Sequence, residues 1–144
     1  MFIVRATCVT DELMDAIARL MPQLKLRYSI PTRAEIEALV ASNTSILITV
    51  RHPDEQSPIV GMLTLIVYRV PSGVRAHVED IVVDESIRGQ GVGEALVRHA
   101  LSVARAAGAN GVALTTNPRR EAANRLYQRI GFRRWDTNIY FYEF

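Results

Sequence analysis

The stretch Val78-Glu79-Asp80-Ile81-Val82-Val83-Asp84-Glu85-Ser86-Ile87-Arg88-Gly89-Gln90-Gly91-Val92-Gly93 decides how this chain is read. It begins as a β-prone run, passes through a polar loop with three alternating glycines, and opens a helix. That helix is predicted from about Val92 to Ala107, with Leu96, Val97, Ala100, Leu101 and Ala104 on one face and Gly108 stopping it. The first N–H groups of a helix have no intrahelical partner, and that end carries partial positive charge. It is a ready anion site. Glycine at 89, 91 and 93 removes the side chains that would hold a phosphate away from those amides. The plainer alternative is a turn whose glycines serve tight geometry alone. Two other phosphate loops are excluded. Glu94 and Ala95 stand where a nucleoside-triphosphate loop needs Lys and Ser or Thr. The third glycine comes one residue too early for the dinucleotide fingerprint.

Upstream, Phe2 to Thr7 reads as a strand, and Thr10 or Asp11 caps a helix from about Glu12 to Met21. After the connector Gln23 to Pro31, Thr32 caps a second helix, Arg33 to Ala41, with Glu35 at the capping-box position. Ser45 to Val50, Ile59 to Val70 and Val74 to Val83 read as an antiparallel meander joined by polar turns. Downstream, Gly111 to Thr115 is a short strand and Pro118 opens a helix that Gly131 stops. Phe132 to Trp135 and Asn138 to Phe144 read as final strands. The order β-α-α-β-β-β-α-β-α-β-β predicts a mixed α/β fold (α+β in its first half) with helices on both faces of the sheet.

The composition is that of one globular domain, residues 1–144: 49% hydrophobic, 22% charged, net charge +2. The basic residues are almost all arginine, with Lys25 the only lysine. They are scattered rather than gathered in a stripe, which argues against a nucleic-acid partner. The single cysteine, Cys8, permits no intrachain disulfide. The start lacks a signal-peptide run and no apolar stretch spans a membrane, so a cytoplasmic location is expected. No spacing among His52, His77, His99 and Cys8 suggests a metal site.

The segment from Val78 to Gly93 resembles the acetyl-CoA-binding segment of the GNAT N-acetyltransferase superfamily. Asn117 to Phe132, containing Glu121-Ala122-Ala123-Asn124-Arg125-Leu126-Tyr127, resembles that family's second characteristic segment. The element order matches over nearly the whole chain. The resemblance implies a GNAT-like fold: a mixed, mostly antiparallel sheet of about six to seven strands, splayed into a V and flanked by about four helices. It implies that the pantetheine arm pairs with the backbone of Ile81, Val82 and Val83. The pyrophosphate would rest on amides of Arg88, Gly89, Gln90, Gly91, Val92 and Gly93. Asn117 and Asn124 would contact the cofactor arm from the other side. It also places at Tyr127 a tyrosine that protonates the leaving thiolate, and so lies against the cofactor.

The remaining chemistry is acyl transfer from acetyl-CoA to an amine acceptor. Glu79 is the preferred base, a carboxylate on an otherwise apolar strand, and Asp80 is its competitor. Neighbouring strand residues point to opposite faces, so only one of them faces the acceptor unless a bulge intervenes. A water relay is the third route. A backbone N–H near Ile81 or Val82 would hold the oxyanion. His77 shares a face with Glu79. Arg119 and Arg120 either reach the cofactor's 3′-phosphate or are solvated. The acceptor pocket is expected between the first two helices, their connector and the C-terminal hairpin, with Arg27, Tyr28, Trp135 and Tyr140 as lining candidates. The run Ala76 to Val83 is similar to the corresponding strand of glucosamine-6-phosphate N-acetyltransferases. The apolar, β-prone C-terminal run can pair across a homodimer. The rival reading is a non-catalytic acyl-CoA sensor or complex subunit; the presence of both Glu79 and Tyr127 argues against it.

Overall fold

The computed structural model describes residues 1–24 and 29–144. β1 (Phe2–Arg5) leads into α1 (Asp11–Leu20), capped by the Thr10 side chain, and a 3-10 turn at Met21–Leu24. α2 (Arg33–Ala41) starts at a complete capping box: the Thr32 hydroxyl accepts from Glu35 N–H, and Glu35 accepts from Thr32 N–H at 2.7 Å. β2 (Ser45–Arg51), β3 (Ile59–Val70) and β4 (Gly73–Val83) form the expected meander. A 3-10 turn at Glu85–Ile87, α3 (Val92–Ala106), β5 (Val112–Leu114) and α4 (Glu121–Ile130) complete the described elements.

The sheet order is β1-β2-β3-β4-β5, antiparallel except for the parallel β4–β5 pair. Leu13, Ile17, Leu20 and Ile36 of α1 and α2 pack with Leu47, Met62 and Val82 on one side. Val92, Leu96, Ala100 and Ala104 of α3 pack with Ile48, Val50, Leu63, Leu65, Ala76 and Val78 on the other. This is the mixed α/β architecture with helices on both faces. α3 comes close to the sheet at Gly61, where an added Cβ would lie 3.0 Å from Val50 Cγ1 and from the Val82 carbonyl, and 3.2 Å from Leu96.

Two expectations need correction. The sheet has five strands among the described residues, not six or seven, because neither Phe132–Trp135 nor Asn138–Phe144 forms a strand. Strand propensity in an aromatic run reflects packing against neighbours. Here Trp135, Ile139, Tyr140, Phe141, Tyr142 and Phe144 are all exposed, with no ladder partner among the described residues. The last helix starts at Glu121 rather than Pro118, since Asn117–Arg120 closes a turn of its own.

Candidate active site

β4 carries a bulge that fixes which residues meet. Ala76 and Val78 face α3, and strict alternation would put residues 80 and 82 there as well. Instead Val82 packs on the α1/α2 side. The register with β3 slips between Thr64↔Glu79 and Met62↔Val82, leaving Asp80 and Ile81 opposite Leu63 alone. Asp80 takes up the extra length at φ 49°, a left-handed conformation that costs a non-glycine residue on the order of 1 kcal/mol.

β5 pairs with β4 only at Ala76, His77 and Val78. Glu79 to Val83 therefore run on without a β5 partner. The backbone of Ile81, Val82 and Val83 is thus left beyond the end of the β4–β5 ladder. Arg88 lies at the end of this stretch, its Nε donating to the Val83 carbonyl at 3.2 Å.

Asp84 organises the loop that follows, accepting from Ser86 N–H at 3.1 Å and Ser86 Oγ at 2.8 Å while paired with Arg19. These hydrogen bonds and the Arg19 charge hold its carboxyl below the usual carboxylate range. Gly89 (φ 82°) and Gly91 (φ 79°) then make two left-handed steps that side chains rarely allow. Gly91 caps α3 with no side-chain hydrogen bond, so the first-turn amides have no capping side chain. Gln90 is held by His52 Nε2 at 3.0 Å, a contact across 38 residues that no local pattern signals.

α4 closes the far side. A Cβ on Gly93 would lie 3.6 Å from Leu126 and 3.7 Å from Val83, so the end of β4, the start of α3 and α4 converge there. Glu94 accepts from Arg129 at 2.9 Å and binds Arg98, tying α3 to α4. The Asn124 amide donates to the carbonyls of Asn117 (3.1 Å) and Arg120 (2.9 Å), which shapes the turn before α4. The Thr116 hydroxyl is buried without a hydrogen-bond partner among the described residues, a residue that sequence reading passed over. Tyr127 is 6% exposed, packs edge-on against Phe132, and makes no side-chain hydrogen bond among the described residues. Burial raises its pKa, partly opposed by the Arg120 charge, so the phenol stays protonated at neutral pH.

The α1/α2 face holds a cavity of about 530 Å³. Its walls are Ile17, Met21, Ser29, Pro31, Glu35, Ile36, Leu39, Leu47, Met62, Thr64 and Asp80. Residues of α1 and α2 thus line a cavity, while Arg27 and Tyr28, expected to line the acceptor pocket, lie outside the described residues. Trp135 and Tyr140 are 77% and 89% exposed and line no part of it. Asp80 makes no ion pair or side-chain hydrogen bond among the described residues, and burial raises its pKa. Glu79 is exposed, pairs with His77 Nε2 at 3.1 Å, and is absent from the cavity walls. Among the described residues no cluster of His, Cys, Asp and Glu is placed to hold a metal ion. No helix of the described residues is long and apolar enough to cross a membrane.

The glycine loop, the α3 start without a side-chain cap, the β4 edge that continues past β5, and the Thr116 hydroxyl left without a partner among the described residues fit an extended cosubstrate with an anionic diphosphate. The sequence matches the acetyltransferase (GNAT) family over residues 10–132, and the chain belongs to that family. Such enzymes typically draw their acetyl group from acetyl-CoA. Among individual proteins, the chain is 37% identical over 78 residues to a glucosamine 6-phosphate N-acetyltransferase of Trypanosoma brucei brucei. That match takes in 52% of this chain and about half (51%) of the relative. The fold is similar to that of glucosamine-6-phosphate N-acetyltransferase from Arabidopsis thaliana, with TM-score 0.78, 17% identity and 99% of each chain covered. It is also similar to an aminoglycoside acetyltransferase from an uncultured soil metagenomic sample, solved with sisomicin. There the TM-score is 0.80 and identity 19%, over 99% of this chain and 95% of the other.

Proposed function

We propose that this protein is an N-acetyltransferase that moves the acetyl group of acetyl-CoA directly to a primary amine in a ternary complex. The carrying observation is the pair of left-handed glycines, Gly89 and Gly91, that bare the uncapped start of α3 beside the open edge of β4. Amides from Arg88 to Gly93 hold the diphosphate, and the backbone of Ile81 to Val83 pairs with the pantetheine arm. Asn124 and Tyr127 of α4, with Asn117 of the turn before it, close on it from the other side.

In the reaction the ammonium first gives one proton to a carboxylate of the β4 bulge, Glu79 or Asp80, directly or through water. The free amine attacks the thioester carbonyl, forming the C–N bond, and a backbone N–H near Ile81 or Val82 stabilises the oxyanion. The C–S bond then breaks and Tyr127 donates its proton to the departing thiolate. The nitrogen releases its second proton as the amide forms, and Tyr127 is reprotonated. The net products are amide, free CoA thiol and one proton.

The relatives named for glucosamine 6-phosphate and the neighbour solved with an aminoglycoside all act on or bind amino sugars by their descriptions, which supports an amine acceptor. The test is thiol release from acetyl-CoA with a panel of primary amines. Acceptor-dependent release is expected; CoA binding without turnover of any amine would leave the sensor reading standing instead.

A further inference from the structure

Resting on that reading, we propose that Asp80, rather than Glu79, receives the acceptor's ammonium, and that the acceptor is a primary amine carried on an apolar body rather than a hydroxyl-rich amino sugar. Three observations converge on Asp80. The β4 bulge turns it out of alternation into the 530 Å³ cavity on the α1/α2 face. Its carboxylate is partly buried and makes no ion pair or side-chain hydrogen bond among the described residues. Its backbone is held at φ 49°. An uncompensated carboxylate in an apolar recess is unfavourable, and strain at a non-glycine residue persists where the surrounding structure enforces it. A cation bound there relieves the electrostatic penalty. Glu79, by contrast, is exposed and already meets His77.

The walls specify the rest of the ligand. Ile17, Met21, Ile36, Leu39, Leu47 and Met62 supply an apolar lining from α1, α2 and the sheet. The other carboxylate, Glu35, is engaged in the α2 capping box, accepting from Thr32 N–H at 2.7 Å and Thr32 Oγ1 at 3.0 Å. Among the described residues that leaves Ser29 and Thr64 as the hydroxyls facing the cavity. A sugar ring desolvated against these walls leaves hydroxyls unmatched, whereas an alkyl or aryl group buries apolar area. The volume lies within the range of small-molecule sites.

The experiment compares phenethylamine with glucosamine 6-phosphate, using wild type, Asp80→Asn and Glu79→Gln. Phenethylamine is expected to have the higher kcat/KM by about tenfold or more, a difference that unmatched polar groups readily generate. Asp80→Asn is expected to lower kcat/KM for phenethylamine by about 100-fold or more, the scale of a lost proton acceptor. Its loss should exceed that of Glu79→Gln, while its CoA affinity stays within about twofold, as expected if only the acceptor's partner has changed. Asparagine tolerates the left-handed conformation, and retained CoA binding reports a folded variant. A better rate with the sugar phosphate, or an equal or greater loss in Glu79→Gln, would overturn the proposal. If no amine turns over, the acetyltransfer reading fails by itself. Calorimetric titration of phenethylamine into the CoA complex then decides the pocket: heat that Asp80→Asn abolishes supports it, and no heat overturns it.

Discussion

At the scale of single residues, Gly61 and Tyr127 show how packing and chemistry divide. Gly61 sits where β3 lets α3 approach the sheet, and an alanine there presses on the Val82 carbonyl, which cannot rotate away. Gly61→Ala should destabilise the fold by about 1–3 kcal/mol, seen as a lower urea midpoint. Tyr127 is enclosed and uncharged, so its hydroxyl is a donor at neutral pH. Tyr127→Phe should lower kcat by about 100-fold or more while CoA affinity is retained, read by thiol release and calorimetry together. Asp80 ties stability to pH. Its folded pKa lies above the ordinary value of 3.8, so the folded state holds the proton longer than the unfolded chain. The stability this gives is fully present below the ordinary value and is lost as pH rises through the raised one. Asp80→Asn should therefore raise the urea midpoint at neutral pH and not at acid pH. A midpoint shift of the same size at both would show that charge is not the cause.

The elements show what local sequence can and cannot encode. α2 runs from Arg33 to Ala41 as read, because Thr32 and Glu35 write the capping box into four consecutive residues. Thr32→Ala should cost about 1 kcal/mol of stability in equilibrium urea unfolding. β3 also keeps its predicted limits, Ile59 to Val70, since polar turns bound it on both sides. The β4 bulge was legible only as an open question. No glycine marks residue 80, and the extra residue is visible only against the β3 register. The face of Asp80 thus depends on the register with β3, set by the pairing of Thr64 with Asp80's neighbour Glu79 15 residues on, beyond any local periodicity. The C-terminal run erred in the opposite direction: its aromatics carry strand propensity, but a strand also needs an edge to join. The His52–Gln90 contact and the orphan Thr116 hydroxyl likewise arise from tertiary placement alone.

Across the whole molecule, the sheet separates two tasks. α3 packs on one face of the sheet, with its uncapped start beside the β4 edge that runs beyond Val78, and α1 and α2 wall the cavity proposed for the acceptor on the other. The bulge in β4 joins them, and in the proposed reaction it lets one strand offer backbone to the thioester arm and a carboxylate to the amine. All of this depends on the glycine loop holding CoA. The most direct measurement is isothermal titration of CoA into the folded wild type and into Gly91→Val. At φ 79° a β-branched side chain is strained, and it would crowd the amides at the start of α3. Saturable binding near one CoA per chain is predicted for the wild type, with at least about a tenfold loss, or 1.4 kcal/mol, in a Gly91→Val protein that remains folded. Absence of heat with the wild type, or unchanged affinity in Gly91→Val, would contradict the assignment of this loop.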